Sequence, residues 1–158
     1  MKSERSLINH LEVCVEEDLA SQRRLVQLIA QQEAAIVDND TGALSAATEA
    51  LEAELRQAPT RSGNRERVLR GLARAWRIHR DSITLASAAE RAAEGGERIS
   101  ELRQDLRGAT AEVARATRRL AALATMHRNV VREVIDALLG DETSSPVLSA
   151  GTLVNAEA

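Results

Sequence analysis

The sequence has no phenylalanine and no tyrosine, and Trp76 is the only aromatic residue among its 158. This scarcity argues against a thick globular core, because aromatic rings supply much of the area that such cores bury. The hydrophobic fraction is still 44%, and it consists almost wholly of Ala, Leu, Val and Ile. Small aliphatic residues of this kind suit thin seams between packed helices.

Cysteine, proline and long apolar runs are also scarce. Cys14 is the only cysteine, so no disulfide can form within the chain. No stretch approaches the 18 or more apolar residues that a membrane span needs. Charged residues interrupt the apolar positions of the first 19 residues, so no signal peptide is visible. We therefore expect a soluble cytoplasmic protein without membrane insertion.

Motifs of enzymes and cofactor sites are missing from the sequence as well. It contains no Gly-rich phosphate loop, no GxSxG and no HExxH. The three histidines, His10, His79 and His127, are scattered and lack the spacing of metal ligands. We therefore predict that the protein is not an enzyme and that it binds no cofactor and no metal.

The segment DNDTG, residues 38–42, requires a separate test as a calcium loop. Asp38, Asp40 and Glu49 fit positions 1, 3 and 12 of a helix–loop–helix calcium site. Position 5 falls on Gly42, which has no side-chain oxygen, and position 6 on Ala43, where glycine is needed. A capped turn between two helices is the simpler interpretation.

Charge is distributed unevenly along a chain whose formal net charge is −3. Residues 4–54 are mainly acidic, whereas residues 61–80 hold seven arginines against one acid, Glu66. We interpret the two segments as neighbours that partly neutralise each other. Nucleic-acid binding is disfavoured, because one aromatic residue gives almost no base-stacking platform and the acidic neighbour would repel phosphate.

Apolar periodicity predicts an all-α fold, an elongated antiparallel helical bundle or coiled coil. We predict helices at about residues 5–37, 41–58, 65–80, 84–93 and 97–139. DNDTG, PTRSGN (59–64) and Gly95-Gly96 are predicted breaks, and Gly140 a helix stop. This gives a single bundle domain over residues 1–140 and a flexible C-terminal tail over residues 141–158.

The last predicted helix carries the longest pattern, a heptad seam with alternating steps of three and four residues. Its members are Ile99, Leu102, Leu106, Ala109, Val113, Ala116, Leu120, Leu123, His127, Val130 and Val134. After Ala124 a second apolar stripe joins this seam. A doubled stripe either contacts two neighbours or awaits an absent one, because leaving it exposed is unfavourable. The candidate partner-binding residues are Leu120, Leu123, Val130, Val131, Val134, Ile135, Leu138 and Leu139.

Three stretches, in this order, resemble the FlgN-type flagellar export chaperones. They are LVQLIAQQEAAIVDNDTGALSAATEALEAEL (25–55), ITLASAAERAAEGGERISELRQDLRGATAEVARAT (83–117) and HRNVVREVIDALLG (127–140). The third is similar to the end of that family's last helix. PTRSGN departs from the resemblance, since the family often keeps this segment helical.

The resemblance implies a cytoplasmic chaperone of the flagellar type III export system. Its partners would be the C-terminal helical segments of the hook–filament junction proteins FlgK and FlgL, and also the export gate. It would prevent their premature assembly and deliver them for export. An amphipathic guest helix needs an apolar groove between helices, which the doubled stripe could supply. The alternative is a structural or adaptor coiled coil that forms a homo-oligomer through residues 99–134.

Overall fold

The computed structural model describes residues 2–142, and these form an all-α structure without strands. Its α-helices are α1 (Lys2–Val37), α2 (Thr41–Arg56), α3 (Ala58–Ala75), α4 (Leu85–Arg91) and α5 (Gly96–Glu142). A 3₁₀ turn at Arg80–Ser82 lies between α3 and α4. The predicted fold class is confirmed. The chain divides into two compact units, Met1–Leu123 and Ala124–Ala158.

The turn between α1 and α2 is built by the segment DNDTG. Asn39 has a left-handed φ of 54°, and the N–H of Asp40 donates to the carbonyl of Ala35 at 2.9 Å. This Schellman arrangement satisfies the last carbonyls of α1. The carboxylate of Asp40 then accepts from the N–H of Ala43 at 2.9 Å and caps α2. The prediction of a capped interhelical turn is confirmed.

The predicted break at PTRSGN is wrong, and so is the start of the third helix at residue 65. These residues belong to α3, which begins at Ala58 and is separated from α2 by Gln57 alone. Pro59 lies in the first turn, where its missing N–H costs no helical hydrogen bond. Gly63 lowers helix propensity by only about 1 kcal/mol. Arg61 meanwhile holds this turn through its contacts to Ser21 and Glu54.

Helices α2 and α3 both run antiparallel to α1. Gln32 donates to Thr48 of α2 at 2.9 Å, and Ser21 donates to Glu54 at 2.6 Å, so later residues of α1 meet earlier residues of α2. The indole N–H of Trp76, at the end of α3, donates to Glu4 in the first turn of α1. Together α2 and α3 therefore cover α1 along almost its whole length.

The first part of α5 runs parallel to α1. Arg98 pairs with Glu16 at 2.9 Å, and Arg119 pairs with Glu33 at 3.4 Å. One hydrophobic core joins α1, α3, α4 and α5, and each helix contributes side chains of small or medium size. Its buried members are Ile8, Leu11, Val15, Leu19, Leu72, Ala88, Ile99, Leu102 and Ala109. This is the thin aliphatic seam that the composition predicts.

Helix α3 also ends earlier than predicted, at Ala75 and not at residue 80. The remaining boundaries agree with the sequence more closely. Thr84 caps α4 in a capping box with Ser87, and Gly95, at a φ of 83°, precedes α5. Gly140 does not stop α5, which continues to Glu142, because glycine inside a helix lowers stability without ending it. The predicted flexible tail begins within α5, and residues 143–158 lie outside the described residues.

The acidic and arginine-rich segments are neighbours, as predicted. Arg65 of α3 pairs with Asp18 of α1, and Arg61 pairs with the buried Glu54 at 3.0 Å. The arginines of α3 thus neutralise acids of α1 and α2 within residues 1–123.

Candidate functional site

The heptad seam of α5 is buried along its first half. Ile99, Leu102, Ala109 and Ala116 are each at most 8% exposed, and Leu106 and Val113 between them are half-buried. These residues support the fold of the first unit and are not available to a partner. The predicted site residues Leu120 and Leu123 also belong to this unit and are half-buried.

The second unit, from Ala124, has a different surface. Large apolar side chains here are 44–68% exposed, although each would gain free energy by leaving water. We call this surface the distal face, and it consists of Met126, Val130, Val131, Val134, Ile135, Leu138 and Leu139. Exposed patches of more than a few hundred Å² commonly mark binding sites in proteins.

The distal face is arranged in two adjacent rows with a spacing of four residues. Met126, Val130, Val134 and Leu138 form the first row, and Val131, Ile135 and Leu139 form the second. Rows with this spacing are inclined by about 26° to the helix axis, and a groove lies between them. The heptad seam does not follow these rows, because its steps alternate between three and four residues and its next position after Val134 is Ala137. The two rows and the groove between them therefore form one continuous apolar surface on residues 126–139 of α5.

A second, shallower groove lies in the first unit beside Leu123. Ala30, Ala34 and Val37, all exposed, line this groove. The ion pair between Glu33 and Arg119 borders it. Small residues in such a groove permit close approach of another chain.

A buried ionic cluster joins α1 to α2 and α3. Glu54 is 9% exposed, and it accepts hydrogen bonds from Arg24 at 3.0 Å and from Ser21 at 2.6 Å. Arg61 donates to the same hydroxyl at 2.6 Å. The hydrogen bond from Arg24 is the main cause that lowers the pKa of Glu54 from its ordinary value. Ser21 and Arg61 lower it further, whereas burial acts in the opposite direction. Every acceptor of this carboxylate is engaged, so the cluster is a structural clamp.

Other polar residues offer little chemistry in the described part of the chain. No group of three or more His, Cys, Asp or Glu side chains is placed to hold a metal ion in residues 2–142. Of the acids tested as calcium ligands, Asp40 caps α2 and Glu49 accepts from Ser45. No helix of the described chain is long and apolar enough to cross a membrane.

The sequence of the whole described fold matches one family. The family model described as FlgN protein matches residues 1–147. The chain belongs to the FlgN family. No curated protein and no solved structure gives a significant match. The FlgN family consists of flagellar export chaperones that bind hook-associated proteins, and it is not a family of enzymes. As an FlgN-family member, this chain has a chaperone role in flagellum assembly.

Six of the eight residues that the sequence predicts as partner-binding lie on the distal face of this FlgN-family protein. The prediction missed Met126, which is 59% exposed and precedes Val130 by four residues; the four-residue spacing is the signal that could have found it. It also missed the clamp at Glu54, for which the charge distribution is the only clue. Leu120 and Leu123 belong to the first unit, whereas the other six candidate residues belong to the second.

Proposed function

We propose that this FlgN-family protein binds the C-terminal helical segments of the hook–filament junction proteins FlgK and FlgL through its distal face. Binding takes place in the cytoplasm, prevents premature assembly and precedes delivery to the type III export gate. One observation carries the proposal: seven large apolar side chains of α5 are exposed together, in a family whose members bind hook-associated proteins.

The energetics of the distal face suit a reversible chaperone. Full burial of an aliphatic side chain contributes about 1.5–3 kcal/mol, so covering a half-exposed one contributes about 1 kcal/mol. The face thus supplies roughly 5–7 kcal/mol, part of which ordering of the guest helix offsets. A free energy of this size corresponds to a dissociation constant of roughly 10–200 μM before that offset, so binding through this face alone is expected to be weak and reversible. Such a complex forms in the cytoplasm and still releases its cargo.

Substitution of the distal face with aspartates tests the proposal directly. Val134→Asp with Leu138→Asp places two charges in a surface that the guest must cover. We expect at least a tenfold loss of affinity for the C-terminal segments of FlgK and FlgL by calorimetry, because an unpaired carboxylate resists burial. Circular dichroism should show unchanged helicity, since both side chains are more than half exposed.

Val13→Asp provides the matched control. Val13 of α1 is 50% exposed, close to the 53% of Val134, and it is not on the distal face. This variant should bind both junction proteins as the wild type does. Unchanged binding by the double aspartate variant would show that the distal face is not the binding site.

Self-association through residues 99–134 conflicts with the burial of the seam in a single chain. Ile99, Leu102 and Ala116 are already covered, so a second copy could pair along this whole range only after the first unit opened. Light scattering at several concentrations gives the mass of the free protein. A tight dimer that does not bind junction proteins would refute the chaperone proposal and favour the adaptor alternative.

A further inference from the structure

One histidine lies in line with the apolar rows of the distal face. His127 precedes Val131 by four residues and Val130 by three, so it continues the second row by one position and lies beside the first. Its side chain is exposed, as are the apolar side chains that follow it. Those side chains cannot change their charge, whereas a histidine in water does so between pH 5 and 8. His127 is therefore the one residue in these rows through which pH can act.

The charged side chains near His127 offer it no counter-ion. The side chains three and four positions away are uncharged, and the next residue is Arg128. Asp141 and Glu142 are more than about 20 Å farther along α5. The other charged residues of this part of α5 lie at least about 120° around the helix axis from His127, and they are Arg132, Glu133 and Asp136. Within the described residues, α5 is the only element of the second unit, and His127 forms no ion pair.

A guest that covers the distal face also removes water from His127. A guest helix lying over Val130 and Val131 contacts the side chains within one turn of them, and His127 is within that distance of both. A neutral imidazole can be covered at small cost, because its ring is largely apolar and each nitrogen can keep one hydrogen bond. A protonated ring carries a charge that no acid of the second unit offsets, so its removal from water opposes binding.

We propose that His127 contacts the guest helix and makes guest binding by the distal face weaken as the pH falls. Because the covered site favours the neutral ring, guest binding releases a proton, and by linkage a proton opposes guest binding. The affinity is therefore highest above the range in which histidine titrates and is lost progressively below it. This rests on the proposed function, and it adds one contact residue and a regulation by pH to the same surface.

Calorimetry at about pH 8 and about pH 6 measures the effect with the full-length chain and the C-terminal segments of FlgK and FlgL. Both conditions lie above the isoelectric point of about 5.7 that the sequence gives. If only the neutral ring is covered, affinity falls by about fourfold between these conditions. His127→Gln keeps a polar side chain that cannot take up a proton. Titration of the guest's own groups affects both proteins alike, so the wild type should lose about three- to fourfold more affinity than the variant.

His10→Gln is the matched control. His10 of α1 is exposed, as His127 is, but it belongs to the first unit. This variant should keep the pH dependence of the wild type, and circular dichroism should show unchanged helicity for both variants under both conditions. A pH dependence that His10→Gln removes as fully as His127→Gln does would overturn the role of His127.

Counting protons separates titration of His127 from a contact that does not depend on its charge. The same calorimetric titration near pH 6.5, repeated in two buffers of different ionisation enthalpy, gives the number of protons released for each guest bound. The wild type should release roughly half a proton more than His127→Gln does. Equal proton release by the two proteins would refute the proposal, even if the substitution changed affinity.

The outcomes distinguish the role of His127 from the proposed function. Binding of FlgK and FlgL that depends on Val134 and Leu138, with the same pH dependence in the wild type and in His127→Gln, would leave the function standing and overturn the role of His127. Affinity that rises as the pH falls would overturn that role as well. No binding of either junction protein under any of these conditions would overturn the proposed function, and the role of His127 with it.

Discussion

Leu102 and Leu138 lie on the same helix, and their truncation to alanine should have opposite consequences. Leu102 is 2% exposed in the core of the first unit, and Leu138 is 68% exposed on the distal face. Leu→Ala at a fully buried site costs about 2–5 kcal/mol, which combines lost transfer free energy with the cavity left behind. At an exposed helical site the same change stays within about 0.5 kcal/mol, and alanine is an equally good helix former.

Urea unfolding followed by circular dichroism at 222 nm measures both variants. With a slope of roughly 2 kcal/mol per molar urea, Leu102→Ala should lower the midpoint by roughly 1–2.5 M. Leu138→Ala should move it by less than about 0.3 M, and it should reduce affinity for junction proteins instead. If Leu138→Ala destabilises as strongly as Leu102→Ala, the distal face is buried in the free protein, and the reasoning that assigns it to a partner fails.

Four further outcomes follow from local features of the first unit. Glu54→Gln should lower the free energy of unfolding by about 1–3 kcal/mol. Because the pKa of Glu54 is lowered in the folded state, the stability of the wild type should fall more than that of the variant as the pH drops below about 4.5. Equal losses would contradict this. Gly95→Ala should destabilise, since φ is 83° and the new Cβ would lie 2.8 Å from Ile8. Gly108 has open space around it, so Gly108→Ala should raise the free energy of unfolding by up to about 1 kcal/mol. Thermal melts of the two glycine variants measure both effects. Burial raises the pKa of the Cys14 thiol, so iodoacetamide at pH 8.5 should alkylate it faster in urea than in buffer.

Local signals in the sequence were sufficient for most element boundaries. The turn at residues 38–40 needs only Asn39 in a left-handed conformation and Asp40 as a cap, and both preferences are encoded locally. The start of α3 could not be found in this way. Proline and glycine near residues 59–63 are read as a break, whereas the contacts of Arg61 with Ser21 and Glu54 come from residues far apart in sequence.

The exposure of the distal face was also beyond local reasoning. The doubled apolar stripe after Ala124 is visible in the sequence, but periodicity does not say whether it is covered. Glu33 pairs with Arg119, and Val37, the last residue of α1, lines the same groove as Leu123. Burial of the heptad seam ends at Leu123. The end of this burial is set by the register of α1 against α5, and the periodicity of the sequence does not contain that register.

Trp76 gives this chain an unusual optical property. Because tyrosine and phenylalanine are absent and Trp76 is the only tryptophan, all aromatic absorbance and emission arise from one ring. Its N–H donates to Glu4 at 2.8 Å across 72 residues of sequence. Its fluorescence therefore reports the contact between the end of α3 and the first turn of α1. A shift in emission that precedes the loss of ellipticity on heating would show the bundle opening at this end first, before its helices melt.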